Sequence, residues 1–172
     1  MKLRQICDSP AIMNEPEKYP NVSIKLEEIA REITENIGEH KALVFSQYLG
    51  MLDLIRTRLR ELQVSFEYFD GSTSAQDREK SIRNFQDNDD VRVFLISLKA
   101  GGVGLNLTAA DYVYIVDPWW NPAVEQQAID RTHRIGQTKN IFAYRMICKD
   151  TIEDKILLLQ EKKKSLAKGL IS

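Results

Sequence analysis

Cysteine and histidine are scarce in this chain, and neither occurs in a metal-binding pattern. The two cysteines, Cys7 and Cys148, lie outside any Cys-x-x-Cys motif, and the sequence contains only two histidines. Because structural zinc sites combine several such ligands at close spacing, we expect no metal site. We interpret both cysteines as buried apolar residues of a protein in a reducing compartment.

Long apolar runs and an excess of one charge sign are also missing. The apolar stretches are only as long as strands, well short of the roughly 20 residues of a membrane helix, so we expect a soluble protein. Residues 1–7 contain Lys2 and Arg4 but are not followed by the apolar region of a signal peptide. With 24 basic and 25 acidic residues the net charge is −1, so any nucleic-acid site must be local.

The remaining composition is that of an ordinary globular domain. The 172 residues are 43% hydrophobic and 28% charged, which excludes a disordered or collagen-like chain and suits one domain with a substantial core. Residues 1–22 are predicted to be a helix end followed by a loop that contains three prolines, and residues 23–172 to be the domain. Because the chain opens on a helix end, we expect it to be a piece of a longer protein.

Short apolar runs alternate with helical patterns along the chain. Runs such as VRVFLIS and YVYIV have no polar face, which is typical of parallel strands covered by helices on both sides. Ser23 has the side chain of an N-cap, for a first helix that ends near Gly38. We therefore predict an α/β fold with a mostly parallel sheet and helices on both faces. The predicted strands are 42–45, 64–69, 91–96, 112–116 and 142–148, and the predicted helices are 23–38, 49–62, 75–85, one from about 122, and 151–166.

A glycine-rich segment, SLKAGGVGLN, directly follows the predicted strand 91–96. Its three glycines allow backbone amides to approach an anion, and loops after parallel strands line the ligand crevice of open sheets. The same spacing also fits a tight turn beside a closely packed helix, so the segment alone leaves both interpretations open.

The segment QAIDRTHRIGQ places two arginines on one face of a predicted helix. At about 100° per residue, Gln127, Arg131 and Arg134 point to the same side of a helix that ends at Gly136. The two guanidinium groups repel each other unless an anion lies opposite. That anion is either a carboxylate of the same surface or the phosphate oxygens that the planar fork of arginine suits. We interpret His133 as structural, because no catalytic partner for it is visible.

The segment DPWWNP contains both tryptophans of the chain in a turn bracketed by prolines. At least one of these rings is predicted to lie outside the core, where an aromatic side chain can stack on or wedge into nucleic acid. The alternative is a tryptophan that covers the end of the sheet, and it applies more readily to Trp119 than to Trp120.

Seven segments in their order resemble one known family. The sequence is similar to the second RecA-like lobe of SWI/SNF-type ATPases, within helicase superfamily 2, and the resemblance covers nearly the whole chain. It implies an ATP-driven motor that moves along double-stranded DNA and remodels nucleosomes or displaces other DNA-bound proteins. The matching segments are LRQICDSP, KALVFSQY, FDGSTSAQDREKSIRNF, SLKAGGVGLNL, DPWWNP, QAIDRTHRIGQ and TIEDKILLLQ.

The resemblance also implies roles for individual residues. Two arginines match the fingers that reach the ATP phosphates held by the first lobe; these catalytic candidates are Arg131 and Arg134. Three residues match the nucleotide side of the motor, namely Gly102, Gly104 and Gln127. The residues that match DNA-contacting positions are Gln47, Gly71, Ser72, Ser97, Lys99 and Trp120.

Two features depart from a complete motor. Ile129 stands where many members of the family have Glu or Gln, and CDSP replaces the common CNHP. More important, no G-x-x-x-x-G-K-[ST] motif and no Asp-Glu pair after a strand occur in the sequence. The lysine and carboxylates that hold ATP and Mg²⁺ are therefore expected in the N-terminal RecA-like lobe of the same polypeptide, and this chain alone is expected to be inactive.

The resemblance leaves two alternatives for the function and two for the location. The chain is also comparable to a lobe of a strand-separating RNA or DNA helicase, although DPWWNP and IDRTHRIGQ match that class poorly. A stand-alone DNA-binding or protein-binding module is the non-enzymatic alternative, and the balanced charge speaks against it. We expect the nucleus for a eukaryotic protein, the cytoplasm and nucleoid for a bacterial or archaeal one, and no membrane partner.

Overall fold

Five apolar strands form one parallel sheet in the structure, a computed structural model that describes residues 2–13, 22–100, 105–132 and 139–169. The strand order is β2-β3-β1-β4-β5, and every neighbouring pair is parallel. The strands are β1 (Lys41–Ser46), β2 (Phe66–Phe69), β3 (Val93–Ser97), β4 (Ala110–Ile115) and β5 (Phe142–Arg145). The α-helices are α1 (Lys2–Asp8), α2 (Ile24–Arg31), α3 (Leu49–Glu61), α4 (Ala75–Asp87), α5 (Pro122–Asp130) and α6 (Ile152–Gly169).

Helices cover both faces of the sheet because successive side chains of a strand point to opposite sides. On β1, Ala42 and Val44 face a core that includes residues of α2 and α3. Leu43 and Phe45 face the opposite core, to which α4 and α5 contribute. The predicted α/β class, with a parallel sheet between helices, is confirmed.

The first predicted helix, 23–38, changes its geometry along its length. The Ser23 side chain accepts a hydrogen bond from the Leu26 backbone N–H at 3.1 Å, as an N-cap does. After α2, residues Glu32–Asn36 form a π-helical turn, and Gly38 follows with a φ of +57°. The wider turn keeps Ile33 and Ile37 on the sheet side, where both are fully buried.

The segment 8–22 is only partly the predicted loop. Pro10–Met13 form a short 3₁₀ helix, for which proline is well suited at the first position because its φ is already helical. Residues 14–21 lie outside the described residues. The last strand is also shorter than predicted, since β5 ends at Arg145 rather than at Cys148.

Helix α1 is joined to the domain by buried polar contacts. The Lys25 ammonium contacts Asp8 Oδ1 at 2.9 Å, Glu153 Oε1 at 2.6 Å and the Val116 carbonyl at 2.7 Å. These bonds connect α1, α2, α6 and the end of β4.

Within the described ranges, no helix has both the length and the apolar character that crossing a membrane requires.

Candidate functional site

The carboxyl ends of the central strands meet at one edge of the sheet, where parallel α/β sheets bind ligands. Ser46 at the end of β1 pairs in register with Ser97 at the end of β3. Beside them lies a cleft of about 240 Å³. The residues that line it are Phe45, Leu98, Lys99, Trp119, Val124, Gln127, Ala128 and Arg131. None of these residues is acidic, and two are cationic.

Arg131 is the chemically unusual residue of this cleft. It is the C-cap of α5, four positions after Gln127, so both side chains reach the same cleft as their spacing predicted. Its Nε and Nη1 atoms are buried and have no hydrogen-bond partner among the described residues. Burial lowers the pKa of Arg131, yet a guanidinium remains charged at neutral pH. The described part of the cleft therefore contains a partly buried cation with two unpaired nitrogens.

Helix α5 is shorter than the predicted helix, which extended through Arg134 to Gly136. Helix α5 ends at Asp130, because the Thr132 hydroxyl donates to the Ile129 carbonyl at 2.7 Å and competes for the last turn. The Leu107 N–H donates to the Arg131 carbonyl at 3.1 Å, which ties the helix end to the chain before β4. Arg134 and His133 lie outside the described residues, as do Gly102 and Gly104 of the glycine segment.

The tryptophan turn, residues 117–121, begins at a buried carboxylate. Asp117 Oδ2 accepts from the Ser46 hydroxyl and its Oδ1 accepts from the Gln47 backbone N–H at 3.0 Å, which links the ends of β4 and β1. Trp119 lines the cleft, whereas Trp120 is 56% exposed, so the prediction of a ring outside the core is confirmed. The Lys163 ammonium lies 5.7 Å from the centroid of the Trp120 ring.

The predicted DNA-contacting residues are not all equally accessible. Ser97 and Gln47 are buried, at 2% and 8% exposure, and the Gln47 Nε2 atom has no partner within the described part of the chain. Lys99 is exposed at the cleft. Gly71 and Ser72 are exposed after β2, farther along the same edge of the sheet.

The loop after β2 is organised by Asp70. Its Oδ1 accepts from the Ser72 hydroxyl at 2.6 Å and from the Ser72 backbone N–H at 2.8 Å, and its Oδ2 accepts from the Tyr68 hydroxyl at 2.7 Å. These bonds, with the Ser72 hydroxyl foremost, lower the pKa of Asp70 to about 2. Asp70 is thus a carboxylate that fixes the loop backbone, and sequence spacing did not identify it.

Glu125 on α5 is a second residue that the sequence did not identify. It is fully buried, and its Oε1 accepts from the Trp119 backbone N–H at 2.8 Å and from Gln160 Nε2 at 3.0 Å. Its Oε2 forms an ion pair with Arg145 Nε at 2.6 Å. In the sequence, an acidic residue in a first helical turn is already explained by the helix dipole, so no signal marked it as buried.

The structure brings the two cysteines together, which their spacing in sequence did not indicate. The Cys7 and Cys148 Sγ atoms and a Glu153 carboxylate oxygen all lie within 4.8 Å of one another, and this trio could in principle hold a metal ion. Burial raises the pKa of Cys148 to about 11 and also raises that of Cys7. Both thiols are therefore protonated, and Lys25, 2.6 Å from Glu153, already neutralises the carboxylate.

A parallel five-stranded sheet with a cationic cleft at its carboxyl edge defines this chain as an α/β domain with the RecA-like fold. Residues 24–136 match the family described as the helicase conserved C-terminal domain. The chain belongs to that family, and the resemblance to SWI/SNF-type ATPases is confirmed.

Relatives and a solved structure agree with this assignment. The chain is 48% identical over 129 residues to the helicase-like transcription factor CHR27 of Arabidopsis thaliana, which covers 75% of this chain and 12% of the relative. It is 47% identical over 133 residues to the DNA repair protein rad8 of Schizosaccharomyces pombe, covering 77% of this chain and 12% of the relative. The chain thus spans about an eighth of these proteins. The crystal structure of the C-terminal part of the Fun30 ATPase domain matches 92% of this chain and 53% of its own length, with a TM-score of 0.74 and 36% identity.

Proposed function

We propose that this chain is the second motor lobe of an ATP-dependent translocase that moves along double-stranded DNA. ATP and Mg²⁺ are held mainly by the first RecA-like lobe of the same polypeptide, because this sequence has neither the P-loop lysine nor the metal-binding acid pair. The targets are nucleosomes or other DNA-bound proteins. The relatives come from plants and fungi and include a DNA repair protein, which supports a nuclear location.

The observation that carries the proposal is that Arg131 has two buried nitrogens, Nε and Nη1, without a hydrogen-bond partner among the described residues. A buried polar group without a partner destabilises a fold by about 1–3 kcal/mol, and Arg131 is the arginine of the described residues that has two such atoms. The described part of the cleft offers no carboxylate to pair with it. A phosphate presented by the first lobe would supply the missing acceptor and use the planar geometry of arginine.

This position of Arg131 couples ATP hydrolysis to movement. With the lobes closed, the guanidinium stabilises the charge that develops on the transferred phosphoryl group, and Arg134 is proposed to act beside it. Once phosphate leaves, the contact between arginine and phosphate that stabilises the closed state is lost, and the lobes separate. Gln127 and the glycines Gly102 and Gly104 are proposed to complete the nucleotide side.

The DNA track is proposed to follow the edge of the sheet next to the cleft. Lys99, Ser72 and Gly71 are exposed there and can contact phosphates directly. Gln47 and Ser97 are proposed to support this track from below, because both side chains are buried. Trp120 is an exposed aromatic residue next to Trp119, which lines the cleft.

The experiment compares Arg131→Ala with Arg83→Ala in the full-length polypeptide. Arg83 is an exposed arginine of α4 that pairs with Glu79 at 3.1 Å, so it is the matched control. We expect Arg131→Ala to lower the kcat of DNA-stimulated ATP hydrolysis by about 10³-fold, with KM for ATP changed less than about threefold. Turnover at the level of Arg83→Ala would contradict the proposed role.

A further inference from the structure

The main chain of Trp119 is held from both sides by buried side chains. Its N–H donates to Glu125 Oε1 at 2.8 Å, and its carbonyl accepts from Gln160 Nε2. Gln160 Nε2 also donates to the same Glu125 oxygen at 3.0 Å. Glu125 and Gln160 are 0% and 2% exposed, so water does not compete for these bonds.

The second oxygen of Glu125 connects this cluster to the sheet. Oε2 lies 2.6 Å from Arg145 Nε, at the end of β5, and this contact is an ion pair without the geometry of a hydrogen bond. A buried carboxylate is costly without such partners, and here a cation and two N–H groups surround it. The turn, α5, α6 and β5 therefore meet at one carboxylate.

This cluster lies between Arg131, which is proposed to contact the nucleotide, and Trp120, which is proposed to contact DNA. Glu125 is on the nine-residue helix α5, whose C-cap is Arg131, and it binds the turn that presents Trp120. On α6, Lys163 follows Gln160 by three positions and lies over the Trp120 ring. A shift of α6 therefore acts on both tryptophans.

We propose that Glu125 is a positioning residue that holds the tryptophan turn and the Arg131 helix as one unit, which Gln160 ties to α6. The geometric part of this proposal, that Glu125 holds the turn on α5, rests on the contacts above. Its kinetic part, that this contact affects ATP hydrolysis, rests on the proposed function. DNA that moves Trp120 then moves Arg131, because Glu125 prevents the turn from sliding along α5.

The first test uses tryptophan fluorescence of the 172-residue chain. Trp119 and Trp120 are its only tryptophans, so Trp120→Phe leaves Trp119 as the single reporter. In this background we expect Glu125→Ala to raise the acrylamide quenching constant at least about twofold, because the turn loses its acceptor. Glu125→Gln retains a carbonyl oxygen and is expected to restore most of the protection. Glu161→Gln, which changes an exposed carboxylate of α6, is the control.

Each outcome of the quenching test either supports or overturns the claim that Glu125 holds the tryptophan turn on α5. Unchanged quenching in a folded Glu125→Ala variant, or a Gln variant no better than Ala, would overturn it. If Glu125→Ala does not fold, Gln160→Ala removes the two hydrogen bonds that α6 makes to the Trp119 carbonyl and to Glu125 Oε1. It is expected to raise quenching at least about 1.5-fold, and no change there would equally overturn the proposal.

The second test measures ATP hydrolysis per folded molecule of the full-length polypeptide. We expect Glu125→Ala to lower DNA-stimulated kcat at least about tenfold, with KM for ATP within about threefold, and Glu125→Gln to recover at least half of kcat. A merely structural role would leave kcat per folded molecule unchanged. Arg131→Ala measured alongside separates the two proposals. An inactive Arg131 variant with normal Glu125 variants refutes only the positioning role, and an active Arg131 variant refutes the proposed function.

Discussion

Two cations, the buried Lys25 and the partly buried Arg131, differ in their hydrogen-bond partners. Lys25 has two carboxylate partners and one carbonyl partner, all within 2.9 Å, and it joins three helices to the sheet. Arg131 has buried nitrogens with no partner in the described part of the chain. The Lys25 ammonium thus finds its acceptors within the fold, whereas an acceptor for Arg131 is proposed to come from the first lobe.

The Lys25 cluster also makes stability depend on pH at the residue scale. Burial, with a further contribution from Asp117, raises the pKa of Asp8 to about 8. Its unfolded value is near 3.9. The folded state therefore binds the proton more tightly, and this contribution to stability is present below about pH 4 and is lost as the pH rises through about 8.

We predict that Asp8→Asn reduces this loss. Asparagine keeps an oxygen for Lys25 but does not titrate, so the free energy of unfolding should fall less between pH 5 and pH 8 than in the unmodified chain. Between pH 5 and pH 8, the free energy of unfolding of the Asn variant is expected to fall by at least about 1 kcal/mol less than that of the unmodified chain. Urea unfolding at the two pH values measures it, with Glu161→Gln as the exposed control. An equal pH dependence in both proteins would show that Asp8 does not titrate as described.

At the scale of single elements, the tryptophan turn and α5 are joined so that they move together. Only Asn121 and Pro122 separate Trp120 from the helix body. Asn121 caps that helix by accepting from the Ala123 N–H at 3.1 Å, and Pro122 fixes the first φ. The turn is therefore stiff, and a displaced ring moves the helix.

We predict that Trp120→Ala separates hydrolysis from movement. In the full-length polypeptide, translocation should fall more than DNA-stimulated ATP hydrolysis, because the ring transmits DNA contact to α5. The melting temperature should change by less than about 2 °C, since the side chain is 56% exposed. Leu158→Ala, which truncates an exposed side chain of α6, is the control. A large fall in melting temperature with parallel loss of both activities would instead indicate a packing role.

Most strands and helices could be predicted because each leaves a local pattern. The strand run VFLIS and the Ser23 cap are examples, and both appear in the structure as expected. The end of α5 at Asp130 was predictable only in part, because beside the local Thr132 bond it involves the Leu107 N–H, which comes from a distant segment and binds the Arg131 carbonyl. The Glu125–Gln160 contact and the meeting of Cys7 with Cys148 are equally non-local.

The candidate site, like the fold, could be predicted from the sequence only in part. Spacing on one helix placed Gln127 and Arg131 together, and both line the cleft. The sequence did not indicate that Ser97 and Gln47 are buried, since burial depends on how neighbouring loops pack. At the scale of the whole molecule, the described part of the cleft supplies two cations and no carboxylate. This is what the proposed function expects of a lobe that completes a nucleotide site held by another lobe.

The central claim is that Arg131 acts on the transition state of a reaction whose other components lie in the first lobe. The most direct measurement compares two affinities of the full-length polypeptide, one for ADP with aluminium fluoride and one for a non-hydrolysable ATP analogue. We predict that Arg131→Ala weakens the first at least about 100-fold and the second less than about threefold, and that Arg131→Lys recovers little because it lacks the planar fork. Equal weakening of both affinities, or no weakening of the first, would contradict the account.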